Sequence, residues 1–133
     1  MSTSLSAGLI VYDLLSKSEA VMSIATRVFP VIVQEDEDVR MPYVCYHRER
    51  MDQMPVKGHG IGSDTVRIVV ACYASDYAES IELAEAVRTA LDGKFDLVTV
   101  DGLTLRSSLL IDAQDYADDE GNFVQELSFN LKI

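Results

Sequence analysis

The segment 126–133 alternates without exception between polar and apolar residues, and this pattern constrains the fold more than any other feature of the sequence. Its apolar members are Leu127, Phe129, Leu131 and Ile133. Because successive side chains of a strand point to opposite faces, the segment predicts a strand with one buried and one solvated face. Such a strand belongs to a sheet that is covered on one side, as in an α+β domain.

Other segments predict the strands around it. Residues 43–47 and 65–74 are rich in β-formers and predict a hairpin with an extended tip. The apolar run 28–33 predicts an edge strand or an extended lead-in, because Pro30 cannot donate to a ladder. On the 65–74 strand, one face is predicted to carry Val66, Ile68, Val70 and Cys72. An acidic turn joins the final strand to another one, forming a second hairpin, whose alternating apolar residues are Leu103, Leu105, Leu109, Ile111 and Ala113.

Residues 4–16 predict an N-terminal helix that is apolar on two sides. One stripe at helical spacing consists of Leu5, Leu9, Tyr12 and Leu15. Because Ile10, Val11 and Leu14 lie outside this stripe, the helix needs two packing partners. We expect these to be the sheet and a neighbouring subunit, with Ile10 and Leu14 as interface candidates. A short second helical segment is predicted from Ser18 through Ile24.

A central helix is predicted after Asp76, whose spacing from Glu79 is that of a capping box. It ends before Gly93, which suits the left-handed position that follows a helix. Its predicted apolar stripe is Tyr77, Ile81, Ala84, Val87 and Leu91. The sequence therefore predicts one domain over residues 1–133 with an α+β fold. Its mainly antiparallel sheet contains two hairpins and packs against the N-terminal helix and the central helix.

The charge of the chain limits its partners. Eleven Lys and Arg residues face 22 Asp and Glu residues, giving a net charge of −11. This argues against nucleic-acid binding, which needs clustered basic side chains to neutralise phosphates. No apolar stretch approaches the roughly 18 residues of a membrane span. No Lys or Arg precedes Lys17, so we expect no secretory signal and a protein that stays in the compartment where it is made.

No group of residues has the spacing of a reactive centre. The glycine-rich run 58–63 leads into a strand instead of opening a helix, which argues against a phosphate-binding loop. His47 and His59 lack metal-ligand spacing, and the acidic turn at 118–121 lacks the ligand positions of an EF-hand. We therefore expect no catalytic, cofactor-binding or metal-binding residues, and we interpret the chain as an interaction protein.

The long connection after residue 50 is a candidate contact with another protein. It combines glycines with apolar side chains, and flexible Met-rich surfaces suit a partner that must be accommodated. The alternative, that these side chains fold back onto their own domain, is left open by the sequence. The interface candidates in this connection are Met51, Met54, Val56, His59 and Ile61.

Several motifs, taken in order, resemble one known family. They are Val-Tyr-Asp-Leu-Leu at 11–15, Arg-Val-Phe-Pro at 27–30, Met-Pro-Tyr-Val-Cys-Tyr at 41–46, Tyr-Ala-Ser-Asp-Tyr at 73–77 and Leu-Ala-Glu-Ala-Val-Arg-Thr-Ala-Leu-Asp-Gly at 83–93. A closing hairpin with Asp115-Tyr116 follows. In this order and spacing, the motifs resemble those of the tail-completion (tail-terminator) proteins of long-tailed phages and prophages. The resemblance covers nearly the whole chain.

The resemblance implies an α+β domain with a structural role and no enzymatic activity. It implies a hexameric ring that caps the head-proximal end of the tail tube, stops tube growth and mediates head–tail joining. The implied partners are further copies of the chain, the tail-tube protein and the head–tail connector protein. The implied location is the bacterial cytoplasm during assembly and then the tail of the virion.

Two other functions stay open at this point. One is a small α+β ligand-binding or enzymatic domain with a cleft around Tyr46, His47 and His59. The other is a component of a different tail-like injection apparatus, which would assemble by the same physics.

Overall fold

Six strands and three helices make up the part of the chain that the structure describes. The structure is a computed structural model, and it describes residues 3–33, 39–53, 64–98 and 102–133. A 3-10 turn at Ser4–Ser6 precedes the first helix. The elements in chain order are α1 (Ala7–Ser16), α2 (Glu19–Ile24), β1 (Val28–Pro30), β2 (Tyr43–Gln53), β3 (Asp64–Ala74), α3 (Tyr77–Leu91), β4 (Lys94–Val98), β5 (Thr104–Ala117) and β6 (Phe123–Lys132).

The strands form one sheet in the order β1-β2-β3-β6-β5-β4. Strand β1 is parallel to β2, and every other neighbouring pair is antiparallel. This confirms the predicted α+β fold, its mainly antiparallel sheet and both hairpins, β2–β3 and β5–β6. The pattern did not predict β4, whose five residues are interrupted by Asp96 in a left-handed conformation (φ +52°).

The core lies between the helices and one face of the sheet. On β3, the four predicted inward residues are completely buried, as are Phe129 and Leu131 on the neighbouring β6. The predicted alternation of these two central strands is therefore confirmed. Cys72 is part of this core, and burial raises the pKa of its thiol, so the thiol stays protonated.

Helix α1 packs on the sheet through a different side from the one predicted. Its buried residues are Ala7, Ile10, Val11 and Leu15, whereas Leu5, Leu9 and Tyr12 are exposed. Both sets have helical spacing, so the apolar pattern alone does not choose between them. Gly8 lies on the observed side, where a Cβ would be in ordinary van der Waals contact with Tyr46, 3.7 Å from Cε2.

Helix α3 begins and ends where the sequence predicts, but it is rotated relative to the predicted stripe. The Asp76 carboxylate accepts a hydrogen bond from the Glu79 amide at 3.1 Å, which confirms the N-cap. Among the predicted stripe residues, Val87 and Leu91 are buried, but Tyr77 and Ile81 are exposed. The remaining buried positions of α3 are Ser80, Leu83 and Ala86.

The C-terminal end of α3 offers a direct test of the backbone geometry. Gly93 has φ +70°, and no atom lies within 4 Å of a Cβ built there, so only backbone strain opposes a side chain. We expect Gly93→Ala to lower the free energy of unfolding by about 1 kcal/mol, measured by urea denaturation. Gly8→Ala is the matched control, since Gly8 is helical and alanine should be neutral or stabilising there. Equal effects of the two substitutions on stability would contradict the left-handed conformation of Gly93.

Strand β5 departs from the predicted alternation before and at a β-bulge between Leu110 and Asp112. Leu109 and Ile111 were predicted to point inward with Leu105, yet they are 44% and 41% exposed. Leu109 points outward ahead of the bulge, because its neighbour Ser108 is buried and pairs with buried Leu131. Ile111 is the inserted residue of the bulge itself.

The first two strands confirm one prediction and extend another. Strand β1 is an edge strand that ends at Pro30, as expected. Strand β2 continues six residues past His47, and Met51 pairs with Val66 within the sheet instead of lying in the connection. No helix in the described ranges is long and apolar enough to cross a membrane.

Candidate interaction surfaces

The predicted interface residues lie in three different environments. Ile10 is completely buried, which corrects the prediction that it contacts a neighbour. Leu14 and Met51 are half-buried and pack against the core. The other four candidates, Met54, Val56, His59 and Ile61, lie outside the described residues. None of the described candidates is therefore among the exposed large apolar residues, which lie elsewhere on the described surface.

A first apolar cluster, here called the α1 edge, lies where α1 meets β1. Leu5, Leu9 and Tyr12 follow one another at helical spacing on the exposed side of the N-terminal segment. Val31 and Ile32, which follow β1, are 72% and 66% exposed. Contiguous exposed apolar surface of this kind is typical of a contact with another protein. Sequence patterning had assigned the α1 residues to the core.

An open groove of about 640 Å³ runs along the α1 edge. The Arg48 guanidinium lies at the groove and donates a hydrogen bond from Nη1 to the Leu5 carbonyl at 3.2 Å. Among the described residues, Arg48 is the one formally charged residue that lines it. The lining residues are Leu5, Ser6, Gly8, Leu9, Pro30, Val31, Tyr46, His47 and Arg48.

Val31 holds an uncommon backbone conformation at this groove. Its φ is +64°, in the left-handed region that β-branched residues rarely adopt. A hydrogen bond from the Val31 amide to the Tyr46 carbonyl, 2.6 Å long, stabilises this geometry. The strained turn directs the chain away from the sheet and leaves Val31 on the surface. Strain retained in this way is frequent at binding sites.

Tyr46 and His47, which the sequence placed in a possible ligand cleft, both line the groove. Burial raises the pKa of Tyr46 to about 12, with smaller contributions from Tyr12 and Cys45. The Tyr46 hydroxyl therefore stays protonated at neutral pH. His59 lies outside the described residues. In the described ranges, no three His, Cys, Asp or Glu side chains come close enough together to hold a metal ion.

A second apolar cluster, here called the β5 edge, lies on the other side of the molecule. Its exposed members lie on both faces of the sheet, with Tyr77 and Ile81 of α3 on the helical side. Leu109 and Tyr116 of β5 lie on the helix-free face, because they pair with Asn130 and Val124 of β6, and Ile111 lies at the bulge. The Tyr77 hydroxyl donates a 2.7 Å hydrogen bond to the Asp115 carboxylate, which joins the helix to the strand. Ile81 lines a small cavity of about 130 Å³ together with Leu110 and Ala113.

Polar contacts fix the β5 edge in place. The Asp92 carboxylate accepts a hydrogen bond from the Leu110 amide at 2.8 Å and another from Arg88 Nε at 3.3 Å. The Leu110 hydrogen bond is the main reason that the pKa of Asp92 is lowered. At the far end of β5, the Tyr116 hydroxyl donates to Glu126 at 3.1 Å. Mainly through burial, the pKa of Tyr116 is raised to about 12.

The helix-free face of the sheet, by contrast, covers its own aromatic residues. The rings of Phe29 and Tyr43 are 5.7 Å apart, and those of Tyr43 and Tyr73 are 5.0 Å apart. The Arg27 guanidinium lies 4.7 Å from the centre of the Phe29 ring. Phe29 is 3% exposed as a result. Most exposed large apolar side chains of the described residues therefore lie at the two edges. The exceptions are Met22 and Phe95.

Comparison with known proteins agrees with this architecture. A family model described as "Tail completion protein gp17" matches residues 10–132. One chain of the "Virion of native gene transfer agent (GTA) particle" is similar at 19% identity and a TM-score of 0.71. That match covers 92% of this chain and 90% of the other. The bacteriophage SPP1 gp17 protein is similar at 17% identity and a TM-score of 0.56, with 95% of this chain and 88% of that chain covered. These two likenesses establish a shared fold. No curated protein matches the sequence.

Proposed function

The chain belongs to the Tail completion protein gp17 family of phage-tail structural proteins, and from this we propose that it forms a ring that caps the head-proximal end of the tail tube and mediates head–tail joining. The family match spans nearly all of the described chain. The ring is proposed to be hexameric, as the resemblance of the sequence implies.

The observation that carries this proposal is the pair of apolar clusters at the α1 edge and the β5 edge. Five large apolar side chains are exposed at each edge of a chain with a net charge of −11. Surfaces of this kind are covered by other proteins in an assembled particle. Two separate clusters suit a subunit that has a neighbour on either side.

A ring follows when one contact is repeated around a closing rotation. Such a ring stops tube growth if one of its faces mates with the tube and the other lacks the surface that the next tube layer needs. The second face is then free for the head–tail connector protein. The acidic charge suits a ring around a DNA path, because like charges repel and DNA passes without binding.

The connection between β2 and β3 supplies the proposed contact with the tail-tube protein. The sequence of this connection contains Met54, Val56, His59 and Ile61 among glycines. Met-rich segments adapt to the shape of a partner. Met51 is half-buried at the base of this connection, where it packs against the core.

The test of this function is electron microscopy of particles made without the protein. We expect tails without heads whose tubes vary in length, because nothing ends tube growth and nothing presents the joining surface. Supplying the wild-type chain in trans should restore joined particles of uniform tail length. Infectious virions with tails of normal length, made without the chain, would refute the proposal.

A further inference from the structure

We propose that the α1 edge of one copy packs against the β5 edge of the next copy, so that a single repeated contact builds the ring. The inference rests on the proposed ring function and names its subunit interface. The occupant of each edge is a second copy of this chain.

Part of the backbone at each edge of the sheet has no described strand beyond it. Strand β1 pairs only with Val44, Cys45 and Tyr46, so no described strand lies beside residues 47–53 of β2 on the side away from β3. Strand β4 pairs with β5 between Thr104 and Ser108, and the Leu110 amide bonds to Asp92, so no described strand lies beside residues 111–117 on the side away from β6. Unpaired strand edges are templates for pairing with another chain. Two copies placed edge to edge therefore continue one sheet.

The helices extend the same contact on one face of the sheet. Helix α1 lies over β1 and β2, and α3 lies over β6, β3 and β5. Exposed Leu5 and Leu9 thus lie at one end of the helical layer, and exposed Tyr77 and Ile81 lie at the other. When the two sheet edges meet, the helical layers meet as well, and these apolar side chains cover one another.

Charge determines which edges pair. The open edge of β2 carries Arg48 and Arg50 beside Glu49 and Asp52, whereas residues 109–117 contain Asp112 and Asp115 and no basic residue. Two β5 edges facing each other would bring acidic strands together, which costs energy. An α1 edge facing a β5 edge brings basic side chains towards the acidic strand instead. This favours a heterologous contact, which forms a ring when its rotation closes.

Chemical cross-linking in assembled tails tests this interface. The pair Leu9→Cys and Ile81→Cys is introduced with Cys45→Ser, and tails are assembled in cells that supply the other tail proteins. Cys72 is buried and its pKa is raised, so it does not react. A short bis-maleimide is expected to convert the monomer into a ladder of multimers on a denaturing gel. Each single cysteine variant should remain monomeric.

The control is Met22→Cys combined with Ile81→Cys, because Met22 is exposed on α2 and belongs to neither edge, so this pair should remain monomeric. Dimers formed by Leu9→Cys alone would show an isologous contact and overturn the inference. If the Leu9→Cys and Ile81→Cys double variant stays monomeric after cross-linking in tails whose micrographs show a ring, the proposed interface is wrong and the proposed ring is not contradicted. Tails that end normally and contain a single copy of the chain would overturn the ring as well.

Discussion

Replacing Phe129 by alanine is expected to lower the free energy of unfolding by about 3–5 kcal/mol, a large part of the 5–15 kcal/mol typical of a domain. Phe129 is completely buried on β6. Its neighbours in register are Ile68 on β3 and Leu110 on β5. The substitution therefore opens a cavity at the middle of the sheet, where the surrounding strands cannot move in to fill it.

Urea denaturation followed by circular dichroism measures this effect. Phe95→Ala is the matched control, because Phe95 is 57% exposed and its removal should change stability by less than about 0.5 kcal/mol. A loss below about 1 kcal/mol for Phe129→Ala would contradict the central position of β6.

Replacing Leu9 by glutamate is expected to leave the fold intact and to abolish tail completion. Leu9 is 52% exposed, so the free subunit tolerates the charge. In the proposed interface the carboxylate is removed from water against the apolar side chains of the next copy, and although Arg48 lines the same groove, this costs about 3 kcal/mol. This amounts to a loss of more than about 100-fold in the affinity of each subunit contact. The measurements are the melting temperature of the purified protein and the fraction of tails joined to heads.

Two further variants make the result specific. Met22→Glu introduces the same charge at an exposed residue outside both edges and should leave joining unchanged. Adding Ile81→Lys to Leu9→Glu places a cation opposite the new carboxylate and should restore part of the joining. If Leu9→Glu supports normal joining, the α1 edge is not a subunit contact.

The sequence predicted those elements whose signals are local. The alternation at 126–133 and the Asp76 cap of α3 depend on neighbouring residues, and both are confirmed. Strand β4 was missed because it is short and Asp96 interrupts its extended backbone. The bulge in β5 adds a residue and reverses which side chains point inward, and alternation alone does not reveal such an insertion.

The candidate surfaces were harder to predict than the fold. On α1 and α3, apolar residues cover more than one side, and the sequence assigned Leu9 and Ile81 to the core. Which side is buried depends on how the helix packs, and α1 packs against β1, β2 and α3. Those contacts join residues far apart in the sequence, so no local pattern contains them. The sequence predicted correctly that both helices are apolar on more than one side, but it did not predict which side is buried.

The sheet cannot be completed until the last strand of the chain has been synthesised, because β6 lies in its middle. Strand β6 follows all the other strands in the chain, yet it lies between β3 and β5 and is the only described strand that pairs with both halves of the sheet. Until the ribosome has made it, β1–β3 and β4–β5 have no shared backbone hydrogen bonds, and long-range pairing of this kind forms late. A nascent chain therefore cannot hold both edges of the sheet in their final relation until β6 has been synthesised.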